Sequence, residues 1–272
     1  MAPCADAHLM SSSLRTLGDI RQSGPSILPA RASPVLGRRK KVPRTQAKIG
    51  AGTETNSQVD IKEKSMLTIY HVPGTRGIRP IWLCEELQIP YTVVSVDFSP
   101  KFRASAEWRA MNPVGKVPVL RDELEGQSED LLIFESGAMV QYILDRYGKG
   151  RLQPPPGSPE HALYLQWSWF AEATFARPLG EIVNHSRAFP DERRIDDVIA
   201  EMRARAELSA KALGDEMSDK PFILGETFSA ADIMLGYTVM LAERFLPAGL
   251  PDTLLPYWQR LSSRTAYQKA VS

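Results

Sequence analysis

From residue 67 onward, short apolar runs alternate with amphipathic stretches at the spacing of strands and helices. Residues 67–70 have the pattern of a strand, and residues 77–88 that of a helix with apolar positions on more than one side. Ile89-Pro90 ends this helix, and the β-branched residues 91–98 form a second strand. Because a strand, a helix and a strand in succession need a crossover, we expect the two strands to be parallel.

The following stretch predicts a hairpin and a closing helix. Residues 100–110 are weakly helical in pattern, and residues 117–120 and 131–134 are short apolar strands joined by a polar loop. The second of these strands is apolar throughout, so we expect it to be fully buried. A helical pattern follows over residues 136–147. Together these elements predict an α/β thioredoxin-like domain over residues 66–148.

The remainder of the chain predicts helices alone. Residues 149–159 contain Pro154-Pro-Pro-Gly-Ser-Pro159, a composition typical of a linker. Helical patterns follow, first over residues 160–177 and then over residues 191–213, so residues 160–272 are predicted to form an all-α helical-bundle domain. The first helix has a predicted apolar face of Leu163, Trp167, Phe170 and Thr174, and the second has Ile195, Val198, Ile199, Met202, Ala206, Leu208 and Leu213 as its apolar positions.

Residues 1–65 differ in composition from the rest of the chain. They carry a net charge of +6, although the whole chain has only +1. Their Ser, Ala, Pro and Arg content and the run Arg38-Arg-Lys-Lys41 are typical of an organelle transit peptide or of a disordered basic tail. A nucleic-acid patch is disfavoured because no aromatic residue is interleaved with these charges. Residues 1–65 are therefore predicted to be a disordered or targeting extension, unless Met66 is the true start of the protein.

Composition excludes several classes of protein. The sequence has no apolar run long enough to span a membrane. Its two cysteines, Cys4 and Cys84, form no C-x-x-C pair, which disfavours disulfide staples and a dithiol redox site. Its four histidines lack the spacing of metal ligands, so we expect no metal. Neither a membrane nor a nucleic acid is an expected partner.

Two short motifs in the α/β region predict a site for a small peptide. Val117-Pro118 precedes a strand, where a proline marks the start or the edge of pairing and leaves backbone groups for an extended ligand. Glu135-Ser136 begins a helix, whose free N–H groups attract a carboxylate. Glu135 has a charge that could hold an ammonium group. A peptide with an α-amino group, an α-carboxylate and an extended backbone, such as glutathione, would satisfy all three features.

A third motif carries folding information. In the stretch from Phe228 to Ile233, Ser229 can cap the backbone N–H of Asp232 while Asp232 reaches back to the N–H of Ser229. This pattern predicts a capping box at the start of a helix. Loss of the Asp232 carboxylate is expected to cost about 1 kcal/mol or more.

Five motifs follow one another along the chain. They are Leu67-Thr-Ile-Tyr-His-Val-Pro-Gly-Thr-Arg76, Trp82-Leu-Cys-Glu-Glu-Leu87, Asn112-Pro-Val-Gly-Lys-Val-Pro118, Glu135-Ser136 and Phe228-Ser-Ala-Ala-Asp-Ile233. In this order they resemble the landmarks of the glutathione transferase superfamily, and in particular its theta-like and bacterial-like serine or threonine members. The resemblance covers residue 66 to the C-terminus and implies a glutathione transferase that uses glutathione as co-substrate.

The resemblance implies that a hydroxyl group activates the glutathione thiol, which is mostly protonated at neutral pH because its free pKa is about 8.5. Thr75 stands where theta-like members have a serine, and it is the predicted catalytic residue. Tyr70 stands where other classes have a tyrosine, and it is the alternative. Threonine departs from the serine pattern, because its methyl group restricts χ1 and can turn the hydroxyl away from sulfur.

The resemblance also implies the binding residues. The Val117 backbone would pair with the cysteinyl unit at the Pro118 turn, and Glu135 and Ser136 would hold the γ-glutamyl end. The remaining predicted contacts are Lys116 to the glycine carboxylate and Arg76 beside Thr75. The alternatives are that Lys116 and Arg76 are solvated charges and that Glu135 is only a helix-start acid. Gly137 stands where delta-like members have an arginine, so one carboxylate contact is missing from the pattern.

The electrophile site is predicted on the first helix after the linker. Trp167 and Phe170 could line a hydrophobic substrate pocket there, although aromatic residues on a bundle helix also pack as core. The resemblance implies a homodimer in the cytoplasm that conjugates glutathione to small hydrophobic electrophiles in detoxification; a targeting role for the extension would instead imply a mitochondrion or plastid. Another glutathione-dependent reaction, such as isomerisation, dehalogenation or peroxide reduction, and a non-catalytic binding protein are the alternatives.

Overall fold

The computed structural model describes residues 67–272, and the predictions for residues 1–65 lie outside these described residues. The chain begins with strands and helices and continues with helices alone, which confirms the predicted fold class. The strands are β1 Leu67–His71, β2 Tyr91–Ser95, β3 Val119–Asp122 and β4 Leu131–Phe134. The helices among them are α1 Ile78–Leu87, α2 Pro100–Ala104, α3 Ala106–Met111 and α4 Ser136–Tyr147.

The four strands form one sheet in the order β2-β1-β3-β4. As predicted, β2 is parallel to β1, and β3 and β4 form an antiparallel hairpin. The weakly helical stretch between β2 and β3 divides into α2 and α3, because Ser99 and Ser105 each accept a hydrogen bond from a backbone N–H and so begin a new helix. The sheet therefore has the predicted βαβ-ββα connectivity.

Alternate residues of β1 pack on opposite faces of the sheet, as the period of a strand requires. Leu67 and Ile69 belong to the main core, which includes α1, α4 and the helical domain. Tyr70 belongs to a smaller cluster on the other face, where its ring meets Trp108 of α3 edge to face at 6.1 Å between centroids. The sheet thus separates two apolar cores of unequal size.

The expectation that residues 131–134 form a fully buried strand is wrong. Leu131, Leu132 and Ile133 are half-buried, and Phe134 is 38% exposed. The reason is the position of β4 at the end of the sheet, where only β3 pairs with it. An apolar run without alternation predicts burial only when neighbouring strands and layers cover both faces.

The second domain consists of helices packed around α8. Its α-helices are α5 Pro159–Trp169, α6 Ala176–Ala188, α7 Asp196–Glu216, α8 Ala230–Phe245, α9 Leu255–Ser262 and α10 Thr265–Val271. A π-helical turn, Phe170–Phe175, joins α5 to α6. The first residues of α8 are almost all buried, which identifies it as the central helix of this domain.

The π turn changes which residues of the first long helix are buried. A π turn has more residues than an α turn, so positions after it shift around the helix axis. The predicted face is wrong in part: Thr174, within the π turn, is exposed, and Leu163, which precedes the turn, is 50% exposed. The buried residues are Tyr164, Ala171, Phe175, Leu179 and Ile182.

The predicted long charged helix is present as α7, and its apolar positions divide between core and surface. Ile199, Ala206 and Leu213 are buried. Val198 and Leu208 on α7, in contrast, are exposed, as is Ile195, which directly precedes the helix. The sequence pattern therefore predicted the helix correctly but assigned it too wide a buried face.

The capping box at the start of α8 is confirmed. Asp232 is fully buried, and its Oδ2 accepts the Ser229 N–H at 2.8 Å. Its other oxygen, Oδ1, accepts the backbone N–H of Ile223 at 2.8 Å and the hydroxyl of Tyr257 at 2.9 Å. Burial nevertheless raises the pKa of Asp232, since these hydrogen bonds only partly offset desolvation. Asp232 therefore joins α8 to two other segments as well as capping it.

Helix α1 joins the two domains. Trp82 of α1 is fully buried against α8, so closely that a Cβ on Gly236 would lie 2.7 Å from its ring. Glu86 accepts two hydrogen bonds from the Arg264 guanidinium, at 2.6 and 2.7 Å. The guanidinium also stacks on the Phe228 ring at 3.8 Å. These contacts hold α1 between the sheet and the helical domain.

Candidate active site

The register of the sheet brings three predicted motifs to one edge. Tyr70 pairs with Val119 and Val119 pairs with Phe134. Beyond these pairs, β1 ends at His71, Val117-Pro118 precedes β3, and Glu135-Ser136 follows β4. The loop that carries Thr75, the Val117-Pro118 turn and the start of α4 therefore lie side by side at this edge.

Thr75 lies half-buried in the turn between β1 and α1. Its hydroxyl donates a 2.7 Å hydrogen bond to the carbonyl oxygen of Val72, which also accepts the Thr75 backbone N–H at 3.2 Å. The hydroxyl proton is thus engaged within the turn. For Thr75 to donate to a thiol, as the sequence predicts, this proton must rotate away from Val72, after which the Thr75 N–H still holds the turn.

Tyr70, the alternative hydroxyl, is a core residue of the smaller cluster. Its side chain is only 9% exposed and packs with Val96, Trp108 and Val119. This cluster lies on the face of the sheet opposite to α1. Tyr70 therefore has a packing role in this cluster.

The loop before Pro118 is held by Asn112. The buried amide of Asn112 donates to the Lys116 carbonyl at 2.8 Å and accepts the Val114 N–H at 3.1 Å. These two hydrogen bonds make Asn112 a turn-forming residue. The Lys116 side chain is exposed, and the Val117-Pro118 peptide bond is cis. Within residues 67–272, no backbone group pairs with the N–H or the carbonyl of Val117.

Glu135 and Ser136 differ in exposure and in role. Glu135 is exposed, has a positive φ of 78°, and makes no side-chain hydrogen bond to the first turn of α4. Ser136 is only 2% exposed, and its Oγ accepts a 3.1 Å hydrogen bond from Nη1 of Arg79. The predicted γ-glutamyl pair therefore combines an accessible carboxylate with an anchored hydroxyl.

Arg79 is a residue that the sequence interpretation missed. It lies on α1 with 0% exposure. Its Nη1 also donates to Oε2 of Glu172, and Nε of Arg76 donates to Oε1 of the same carboxylate at 3.0 Å. Burial alone would raise the pKa of Glu172, but the guanidinium groups of Arg79 and Arg76 hold it below its ordinary value. Glu172 belongs to the π turn, so this ion pair crosses from the first domain to the second.

The remaining contacts of Arg79 are with α8. Its Nη2 donates to the Met234 carbonyl at 3.2 Å and to the Thr238 hydroxyl at 3.0 Å, and its guanidinium lies 4.9 Å from the centre of the Tyr237 ring. Burial lowers the pKa of Arg79, and Glu172 opposes this effect. A charged residue within an otherwise buried helix is the sequence signal that could have revealed it, because such a charge needs a buried partner.

Burial shifts the pKa values of two other side chains, His71 and Cys84, and makes both unreactive at neutral pH. Burial lowers the pKa of His71 to about 4, so its ring is neutral at neutral pH. This ring packs against Gly77, where a Cβ would lie 2.1 Å from Nδ1. Burial raises the pKa of the Cys84 thiol to about 12, which makes it a poor nucleophile. Cys84 is the only cysteine within the described residues.

The predicted pocket residues Trp167 and Phe170 lie together. Their rings meet edge to face at 5.2 Å, and Phe170 also contacts the buried ring of Phe175 at 6.1 Å. Both are half-buried and pack against the main core. Phe170 is the first residue of the π turn that also carries Glu172.

Comparison with known families decides the assignment. The model "Glutathione S-transferase, N-terminal domain" matches residues 65–145, and "Glutathione S-transferase, C-terminal domain" matches residues 196–265. This chain belongs to the glutathione transferase superfamily. The two matches together cover more than half of the chain and include the edge where the three motifs meet.

Individual relatives of this transferase-family chain are distant. It is 27% identical to Glutathione S-transferase GstB of Escherichia coli K12 over 213 residues, which are 76% of this chain and 98% of that protein. Disulfide-bond oxidoreductase YfcG of the same strain is 25% identical over 169 residues, 62% of this chain and 76% of that protein. A theta class glutathione S-transferase from Xanthomonas axonopodis pv. citri, solved with glutathione bound, has a TM-score of 0.62 and 27% identity, covering 76% of this chain and 97% of that chain.

No helix within residues 67–272 is long and apolar enough to cross a membrane. The same part of the chain has no group of three or more His, Cys, Asp or Glu residues arranged to hold a metal ion.

Proposed function

We propose that this protein is a glutathione transferase that adds the glutathione thiolate to hydrophobic electrophiles. The observation that carries the proposal is the meeting of three motifs at one sheet edge: the Thr75 turn, Val117-Pro118 and Glu135-Ser136. This edge offers unpaired backbone groups at Val117, a helix start at Ser136 and a hydroxyl at Thr75, which are the features that a thiol-containing tripeptide needs. Its similarity to GstB and to the theta class enzyme agrees with this assignment.

In the proposed binding mode, glutathione lies extended along this edge. Its cysteinyl unit pairs with the Val117 backbone beside Pro118, while its γ-glutamyl carboxylate accepts from Ser136 and the N–H groups of α4. The γ-glutamyl ammonium group pairs with the exposed carboxylate of Glu135. Lys116, exposed at the other end of the loop, reaches the glycine carboxylate.

Thiol activation is assigned to Thr75, aided by the start of α1. The Thr75 hydroxyl donates to sulfur after rotating from Val72, and the positive end of the α1 helix dipole favours the thiolate. Arg76 follows Thr75 in the chain and is half-exposed, and we assign its positive charge, which Glu172 partly neutralises, a secondary role in stabilising the thiolate. Trp167 and Phe170, at the start of the helical domain, are assigned to bind the apolar part of the electrophile.

Cellular context and assembly belong to the same proposal. We assign the enzyme to detoxification in the cytoplasm as a homodimer. Exposed apolar side chains on the described surface, among them Phe134 on the edge strand, are candidates for the contact between protomers. Sedimentation velocity on the full chain tests this, and a monomer at micromolar concentration would contradict it.

A second candidate reaction is disulfide reduction, which the similarity to YfcG favours. Two glutathione molecules would reduce one disulfide, giving glutathione disulfide and two thiols, with glutathione as the source of both electrons. A protein thiol is not needed, which suits a site whose only described cysteine, Cys84, is buried.

A thiol titration tests the proposal and separates its alternatives. The ultraviolet absorbance of the thiolate is followed against pH with glutathione bound to the full chain, in the parent and in Thr75→Ala. We expect a bound thiol pKa at least one unit below its free value of about 8.5 in the parent, and loss of this shift in Thr75→Ala. Thr174→Ala, which changes an exposed threonine of the π turn, serves as the matched control and should keep the shift.

Turnover is then measured with two probes, chlorodinitrobenzene for conjugation and hydroxyethyl disulfide for reduction. Preference for the first supports the transferase, and preference for the second supports the reductase. A protein that binds glutathione without lowering its pKa, and turns over neither probe, is a binding module rather than an enzyme.

A further inference from the structure

The start of α4 lacks the cation that a carboxylate site ordinarily has. Ser136 is followed by Gly137, and the first turn of α4 contains no basic residue. The nearest acid, Glu135, is negative and would repel a carboxylate. If Ser136 receives the γ-glutamyl carboxylate, as the proposed function requires, the compensating positive charge must come from another element.

Arg79 is a cation in direct contact with this position. Its Nη1 lies 3.1 Å from Oγ of Ser136 and donates to it. Because Ser136 accepts this hydrogen bond, its own hydroxyl proton is free to donate elsewhere. The guanidinium polarises the hydroxyl and fixes its oxygen, so the proton points away from Arg79. A hydrogen bond to a carboxylate from a hydroxyl so polarised is stronger than one from an isolated serine.

The charges around Arg79 leave room for one more anion. Arg76 and Arg79 share a single carboxylate, that of Glu172. One positive charge is therefore not balanced among these three side chains. Tyr237, Met234 and Thr238, which also contact Arg79, contribute no formal charge. A carboxylate bound at Ser136 would complete the pairing.

The contacts on the far side of Arg79 hold it rigidly. Glu172 approaches from the π turn, and the Thr238 hydroxyl accepts from Nη2 while donating to the Ala171 carbonyl at 3.1 Å. With 0% exposure, Arg79 has no surface with which to touch a ligand. Its effect must pass through Ser136.

We propose that Arg79 is a positioning residue that orients and polarises the Ser136 hydroxyl toward the γ-glutamyl α-carboxylate, and that Glu172 holds it in place from the helical domain. This inference rests on the proposed function, because it assumes that glutathione binds at Ser136. It goes further in making recognition of one carboxylate depend on a side chain of α1 that the ligand never reaches.

The test compares two ligands that differ only in that carboxylate. Glutathione and γ-aminobutyryl-cysteinyl-glycine, which lacks only the γ-glutamyl α-carboxylate and keeps the amino group, are titrated calorimetrically into the full chain. The ratio of their dissociation constants measures what the carboxylate contributes. We expect a ratio of about ten or more in the parent, equivalent to one strong hydrogen bond.

Three variants decide the role of Arg79. In Arg79→Met and in Ser136→Ala the ratio should fall toward one, and the double variant should fall no further because both changes remove the same hydrogen bond. Thr174→Ala is the matched control, since it changes an exposed threonine of the π turn and leaves the hydrogen bonds of the guanidinium in place. It should keep the parent ratio.

The outcomes separate the two proposals. If the parent binds neither ligand, the proposed function fails. If the parent prefers glutathione but Arg79→Met weakens both ligands by the same factor, the function stands and the inference on Arg79 is overturned. Should Arg79→Met not fold, Glu172→Gln replaces it, because it weakens the carboxylate contact that holds Arg79 in place; a ratio unchanged from the parent would then overturn the inference.

Discussion

The starts of helices α4 and α8 each have a serine beside a buried charge, yet the hydrogen bonds of these two serines differ. At α8, Ser229 and Asp232 form a closed capping box, and both carboxylate oxygens of Asp232 accept hydrogen bonds from the protein. At α4, the residue before the helix is Glu135, which makes no side-chain cap. Ser136 there accepts from Arg79 and keeps its own proton available.

The difference separates a helix start used for folding from one suited to binding. Unpaired N–H groups at a buried helix end are costly, and Asp232 removes that cost at α8. The start of α4 lies at the sheet edge, where the N–H groups and the Ser136 proton are left for a ligand. Sequence motifs of similar appearance therefore serve different purposes, depending on whether the protein itself satisfies them.

We expect the largest loss of stability at the capping box that begins α8. Asp232→Ala removes the acceptor of the Ser229 and Ile223 N–H groups and of the Tyr257 hydroxyl, all within the core. Leaving several buried donors unpaired should lower the free energy of unfolding by about 3 kcal/mol or more, above the sequence-based minimum of about 1 kcal/mol. Urea unfolding of the parent and of Asp232→Ala measures the difference.

The matched change at the start of α4 is Ser136→Ala. Arg79 keeps Glu172 as a partner there, so the loss of stability should stay below about 1 kcal/mol. Equal losses for Asp232→Ala and Ser136→Ala would remove the distinction between the two starts.

A loss of stability smaller than that of Asp232→Ala is expected at Gly77, directly before α1. In Gly77→Ala the new Cβ would lie 2.1 Å from Nδ1 and 2.9 Å from Cγ of the buried His71 ring. The ring must move, and such overpacking should cost about 2 kcal/mol. Thermal unfolding followed by circular dichroism measures this cost.

Gly180→Ala within α6 provides the control, because its Cβ would meet no atom within 4 Å. It should raise stability by about 0.5 to 1 kcal/mol through helix propensity. Destabilisation by both changes would show that the crowding at His71 is not the cause.

The stability that the ion pair of Glu172 with Arg79 and Arg76 contributes should depend on pH. Arg79 and Arg76 hold the pKa of Glu172 below its ordinary value of 4.5. A carboxyl with a depressed pKa stabilises the fold above its unfolded pKa and loses that contribution as pH falls through the folded one. The stability difference between the parent and Glu172→Gln should thus be largest at neutral pH and shrink below pH 4.5. Urea titrations on both sides of that pH measure it, and a difference independent of pH would contradict the ion pair.

Much of the fold was predictable because it is encoded in local patterns. Strand and helix periods, proline stops and the Ser229–Asp232 spacing depend on residues a few positions apart, and the structure confirms the sheet connectivity and the capping box. The motifs at Thr75, Val117-Pro118 and Glu135-Ser136 were likewise visible as spacing. Their roles in binding and catalysis remain predictions.

The sequence by itself determined the order of elements, the α/β-then-α architecture and the motifs that meet at the sheet edge, because each depends on neighbouring residues. Only the tertiary structure decided which apolar residues are covered, as at β4 and α7, since coverage depends on what packs from elsewhere. It also decided that Arg79 meets Glu172 and Ser136, which are 93 and 57 residues away. No local pattern carries such a pairing, because a buried charge requires a partner without specifying where in the chain that partner lies.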